Sequence, residues 1–138
     1  MRIMAIDYGD AHTGIAISDP TGFLAGFTTT ITAYRPEVVA DRIHQLAKEY
    51  GVEELVLGYP KNMDGSLGPR AEKAEAMAEL LKTTTSLPVA LWDERRTTID
   101  AHQILFNSGK NAKKRKQTVD AVAASLILEG YLTFKKSR

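Results

Sequence analysis

The chain contains no cysteine. That excludes disulfides, thiolate metal sites and cysteine nucleophiles, and it fits a reducing compartment. No apolar run is long enough to cross a bilayer, and Met1 opens a strand-like segment rather than a basic and then apolar leader. A cytoplasmic protein is expected. Net charge is nearly absent, at +1, so composition alone does not announce a nucleic-acid binder. Histidines number three, none with a partner at metal-ligand spacing, and His44 and His102 are read as structural. No Gly-x-x-x-x-Gly-Lys-Ser/Thr loop occurs, so a nucleotide-binding loop of that type is ruled out. No internal repeat, linker or low-complexity stretch breaks the chain. What is present is 138 residues, 43% hydrophobic and 25% charged. That is enough for one globular domain and too little for two, so residues 1–138 are expected to form a single domain.

The pattern predicts three antiparallel strands first. Arg2 to Ile6 is mostly apolar, with Asp7 where the strand should stop and Gly9 to leave room for the returning hairpin or a substrate. Gly14–Ser18 is the second strand, and Phe23–Thr32 the third, after the turn at Asp19-Pro20-Thr21-Gly22. Pro36 then suits a first helical position, with Val39, Ile43, Leu46 and Tyr50 at helical spacing and Gly51 as a stop. Glu54–Leu57 reads as a buried strand, and residues 58–68 as a long loop. Pro69 opens a helix that buries Ala71, Ala74, Met77, Ala78 and Leu81 and fades at Thr83–Ser86. Pro88–Trp92 is a strand. A helix capped by Thr97 or Thr98 and running to Asn107 follows. A basic stretch from Lys110 to Lys116 precedes a final helix over Thr118–Phe134.

A helix between strands makes a right-handed crossover to a parallel neighbour. The strands ending at Asp7, Leu57 and Trp92 should therefore run parallel, with their carboxyl ends on one edge, where open α/β sheets place their chemistry. Three acids fall at or near that edge. Asp7 ends the first strand. Asp93-Glu94 follows the last, and since successive strand residues face opposite ways only one of the pair can share the face of Asp7. Asp120 lies in Val119–Leu128, otherwise small or apolar, where an ionised carboxylate costs several kcal/mol unless paired or bound to a metal. If Asp7, Glu94 and Asp120 converge they repel and need a cation. Carboxylate oxygens without cysteine favour Mg²⁺ or Mn²⁺ over Zn²⁺. Two such ions about 3.5–4 Å apart are the usual device for in-line attack on a phosphodiester.

Charge distribution points the same way. Lys110, Lys113, Lys114, Arg115 and Lys116 are five cations in seven residues beside Asp120, suited to a polyanionic substrate. Arg95 and Arg96 can add phosphate contacts. In the long loop, Asn62, Gly65 and Gly68 allow close backbone approach, and Arg70 sits at the opening of a helix whose free N–H groups suit a phosphate. Tyr8, Tyr59 and Trp92 are the aromatics placed near the edge.

These segments together resemble a known family. They are Ala5-Ile-Asp-Tyr-Gly9 with Gly14-Ile-Ala-Ile-Ser-Asp19; Gly58-Tyr-Pro60 with Gly65 and Gly68; Asp93-Glu-Arg95 with Thr97-Thr98; and Lys116 with Val119-Asp120, Ala123-Ala124 and Leu132. The set is similar to the YqgF family, also called RuvX or the Holliday-junction-resolvase family, over essentially the whole chain. The resemblance implies a ribonuclease-H-like α/β fold of three layers. Its mixed five-stranded sheet would have three antiparallel strands, then two parallel ones, and helices on both faces. It implies a nuclease that matures the 5′ end of precursor 16S ribosomal RNA, with Asp7, Glu94 and Asp120 as metal-binding acids. DNA-junction cleavage, non-catalytic nucleic-acid or ribosome binding, and a phosphate-binding half of a sugar-kinase-type enzyme are the competing readings. Oligomeric state is left between monomer and homodimer, and no membrane partner is expected. One departure is His12, where the family commonly has arginine.

Overall fold

A computed structural model describes residues 1–19, 25–59, 68–93 and 112–136, with Ala25, residues 112–120 and Lys136 given as backbone course alone. Five strands, β1 (Arg2–Asp7), β2 (His12–Ser18), β3 (Ala25–Thr32), β4 (Val52–Tyr59) and β5 (Val89–Asp93), form one sheet in the order β3-β2-β1-β4-β5. β1–β2 and β2–β3 are antiparallel, while β1–β4 and β4–β5 are parallel. The expected mixed sheet is therefore present, and its topology follows from the connections. Two hairpin-type links give antiparallel neighbours, and two helical crossovers give parallel ones.

Alternation along the strands assigns the two faces. Met4 and Ile6 of β1, Ile15 and Ile17 of β2, and Leu55 and Leu57 of β4 are buried against α1 (Pro36–Tyr50) and α2 (Pro69–Thr85). Ile3, Ala5, Ala16 and Val56 point the other way and are covered by α3 (Ala112–Lys136). This is a three-layer α/β/α arrangement, the architecture that a two-faced sheet needs in order to be buried on both sides. On the α3 side the facing residues are small, Ala5 and Ala16 in one cluster with Ala124, so the helix axis can come close to the sheet. Gly130 extends that closeness, because a Cβ there would come within 3.2 Å of the Trp92 indole nitrogen.

Several boundaries differ from the sequence expectation, each for a local reason. β4 reaches Tyr59, two residues further, because Gly58 and Tyr59 still pair with Trp92 and Asp93 of β5. α2 runs on through the threonines to Thr85. The Thr83 and Thr85 hydroxyls donate back to the carbonyls of Glu79 and Leu81, which keeps β-branched residues in the helix, and Ser86 ends it at φ 60°. α3 is already helical at Ala112, so Lys113, Lys114, Arg115 and Lys116 belong to the helix instead of preceding one that begins at Thr118. β3 is seen from Ala25. Residues 20–24, which include most of the expected turn and the expected start of β3 at Phe23, lie outside the described residues, as does the helix expected between Thr98 and Asn107.

Candidate active site

Asp7 is the last residue of β1 and pairs with Gly14 of β2. It is 7% exposed, an unusually buried position for a carboxylate. Its phase along β1, two residues after Ala5, puts it on the face that α3 covers. The turn beyond it is tight. A Cβ on Gly9 would lie 2.4 Å from the carbonyl oxygen of His12, so the glycine makes room for the returning hairpin. Lys73 in the first turns of α2 donates to Asp10 at 2.7 Å and ties this turn to α2. Asp10 in turn raises the Lys73 pKa by hydrogen bond and charge.

α3 carries Asp120. Among its described side chains the buried positions are 123, 124, 127, 128, 131 and 132, and position 120 continues that spacing, four residues before Ala124 and seven before Ile127. The C-terminal end of the helix is fixed at the start of β4, where Tyr131 donates to Glu54 and Lys135 reaches Glu54 at 2.7 Å. The helix also packs on β1, β2 and β3. The backbone of Asp120 and of Lys113–Lys116 lies in its N-terminal part.

β5 ends at Asp93, which is exposed and opposite Tyr59. Ala90 and Trp92 pack on the α3 side, whereas Val89 packs on the other. Asp93 is in phase with Val89 and so falls on the face away from α3. Glu94, Arg95 and Asn62 lie outside the described residues, as do Arg96 and Lys110. Among the described residues, no three His, Asp or Glu side chains gather in a metal-binding group. Two of the three acids expected from the sequence, Glu94 and the side chain of Asp120, lie outside what the structure describes. The donor chemistry fits a hard divalent ion, since every candidate ligand is a carboxylate and the chain has no thiol.

Arg70 is exposed in the first turn of α2 and approaches the carboxyl edge from the side opposite α3. His12 shares the phase of Gly14 and Ala16, the α3 side, with its Nδ1 3.3 Å from the Thr32 hydroxyl. The three aromatics that motif position suggests are all engaged. Tyr8 and Tyr59 pack on the α1–α2 side, burial and Asp10 push the Tyr8 phenol pKa up, and Tyr59 donates to Glu75. Trp92 lies against Tyr131 and Phe134. The aromatic that stands in solvent at this edge is Tyr34, which motif spacing passes over.

A family model described as RuvX, Holliday junction resolvase, matches residues 1–134. The chain belongs to this family. A relative from Halothermothrix orenii named "Putative pre-16S rRNA nuclease" is 47% identical over 135 residues, covering 98% of this chain and 96% of its own. Among solved structures, T. thermophilus RuvC in complex with a Holliday junction substrate superposes with a TM-score of 0.64 at 11% identity, over 99% of this chain and 96% of its own. Fowlpox virus resolvase with Holliday junction DNA gives 0.62 at 14% identity, over 98% and 99%. At those identities the likeness concerns the fold, which is ribonuclease-H-like.

Proposed function

We propose that this RuvX-family protein is a metal-dependent nuclease that hydrolyses phosphodiester bonds, with Asp7, Glu94 and Asp120 as ligands of Mg²⁺ or Mn²⁺. The observation that carries the reading is the buried carboxylate of Asp7, at the carboxyl edge of β1 on the face that α3 covers. Position 120 on α3 is in phase with the stripe packed on that same face. The alternation of β5 favours Glu94, two residues after Trp92, over Asp93 as the acid from that strand. Bound ions of this kind activate the attacking water and stabilise the leaving oxygen. Asp7 is held in place by the β1–β2 pairing and by burial, so it contributes a fixed ligand position. Lys113, Lys114, Arg115 and Lys116 attract the substrate backbone to an acidic site that would otherwise repel it. Arg70, Arg95 and Asn62 contribute further phosphate contacts.

The substrate is precursor 16S rRNA, supported by the names of relatives that align along 96% and 86% of their length, and the family resemblance implies its 5′ end. The same full-length match argues against half of a two-domain sugar-kinase-type enzyme. The protein works as a single domain in the cytoplasm, on RNA or on the assembling ribosome. No helix among the described residues is long and apolar enough to cross a membrane. The test compares wild type and Asp7→Asn on precursor rRNA, single-stranded DNA and four-way junctions, with Mg²⁺ or Mn²⁺ and with chelator. Cleavage of the rRNA that needs the ion and Asp7 is expected. Preferred cutting of junctions would move the assignment to a resolvase, and full activity of Asp7→Asn would remove the site.

A further inference from the structure

β3 runs parallel to β1, since each is antiparallel to β2. Its end at Thr32 therefore lies at the same edge as Asp7, and the chain continues through Ala33, Tyr34 and Arg35 into α1. Tyr34 is 77% exposed, more than any other large hydrophobic residue among those described. The other four tyrosines have a packing or bonding role: Tyr8 against the core, Tyr50 stacked on Phe27, Tyr59 on Glu75, and Tyr131 beside Trp92. Arg35 is next to it, its side chain 78% exposed and 4.0 Å from the Glu37 carboxylate. An aromatic residue this exposed adds little to the buried core. It has the chemistry of a platform for a nucleobase with a phosphate contact alongside.

Position sets the distance. Asp7 shares a row with Gly14 and Thr30, two strand spacings away, and Tyr34 is four residues beyond Thr30. The separation is on the order of 15 Å, a span of a few nucleotides. A base can lie on an aromatic side chain only after leaving its stack in a duplex.

Resting on the nuclease reading above, we infer that Tyr34 stacks an unpaired base of the substrate strand a few nucleotides from the scissile phosphate, with Arg35 on the adjoining phosphate. The substrate class is thus a single-stranded segment rather than a continuous duplex. The experiment measures binding in chelator, so that it does not depend on cleavage. The probe is a short single-stranded RNA containing 2-aminopurine, read by anisotropy and by quenching, with the same sequence as a duplex for comparison. Wild type is expected to prefer the single strand and to quench the probe. Tyr34→Ala should weaken binding by roughly five- to a hundredfold and lose the quenching, Tyr34→Phe should keep both, and Arg35→Gln should lower the salt slope by about 0.7. Unchanged binding by Tyr34→Ala, equal affinity for the duplex, or no binding by wild type overturns the inference. Stacking by Tyr34 in a protein that cleaves nothing would instead overturn the nuclease reading, and with it the placement relative to a scissile phosphate, and leave only the single-strand platform standing.

Discussion

Asp7 and Gly9 show how much one turn asks of single residues. Asp7→Asn keeps the size and most hydrogen-bonding capacity of the side chain but removes its charge. Metal-dependent cleavage should therefore fall by at least about a hundredfold, the scale of losing one key electrostatic group in a site, while the thermal midpoint stays near wild type. Gly9→Ala is a different case. Its Cβ meets the His12 carbonyl oxygen at 2.4 Å, and the hairpin must shift, at a cost of roughly 1–3 kcal/mol that a denaturant titration would read. Thr13 offers the reverse test. It is fully buried on β2 and its hydroxyl has no hydrogen-bond partner among the described residues, so Thr13→Val should stabilise by about 1 kcal/mol. The position of Asp7 at the end of β1 was legible in the sequence because an apolar run closed by an acid and then glycine is a spacing signal. The orphaned Thr13 hydroxyl was not, because burial of a threonine depends on the strand phase and on what α1 covers.

At the scale of elements, α3 carries Asp120 of the proposed site and the basic turn Lys113–Lys116. Its buried stripe was readable from Ala123, Ala124, Ile127 and Leu128. Its start was not, since Lys113–Lys116 read as a basic stretch ahead of the helix, and a polar helical turn has no apolar period to reveal it. Helical placement matters to function. At the N-terminal end of a helix, cations add to the positive end of the dipole and strengthen attraction for phosphate. Replacing Lys113, Lys114, Arg115 and Lys116 together by glutamine should therefore weaken binding of single-stranded RNA. It should also flatten the dependence of log K on log salt by up to about 2.8, at about 0.7 for each phosphate no longer neutralised. An unchanged slope would place the basic turn away from the substrate. Tyr34 was hidden for another reason. Nothing in its local sequence marks it, and only the sheet order shows that the end of β3 shares an edge with Asp7.

For the molecule as a whole, the parallel course of β1, β4 and β5, with their carboxyl ends together, was legible from the succession of strands and crossovers, whereas the spatial order β3-β2-β1-β4-β5 was not. Family membership agrees with that architecture. The central claim is that Asp7, Glu94 and Asp120, distant in sequence, hold one divalent-ion site. An electron paramagnetic resonance titration of Mn²⁺ tests it most directly, on wild type and on Asp7→Asn, Glu94→Gln and Asp120→Asn, each first shown to be folded. The account predicts that wild type depletes the free Mn²⁺ signal and that each substitution weakens binding by tenfold or more. Titrations of Asp7→Asn and Asp120→Asn that overlay the wild type would contradict it.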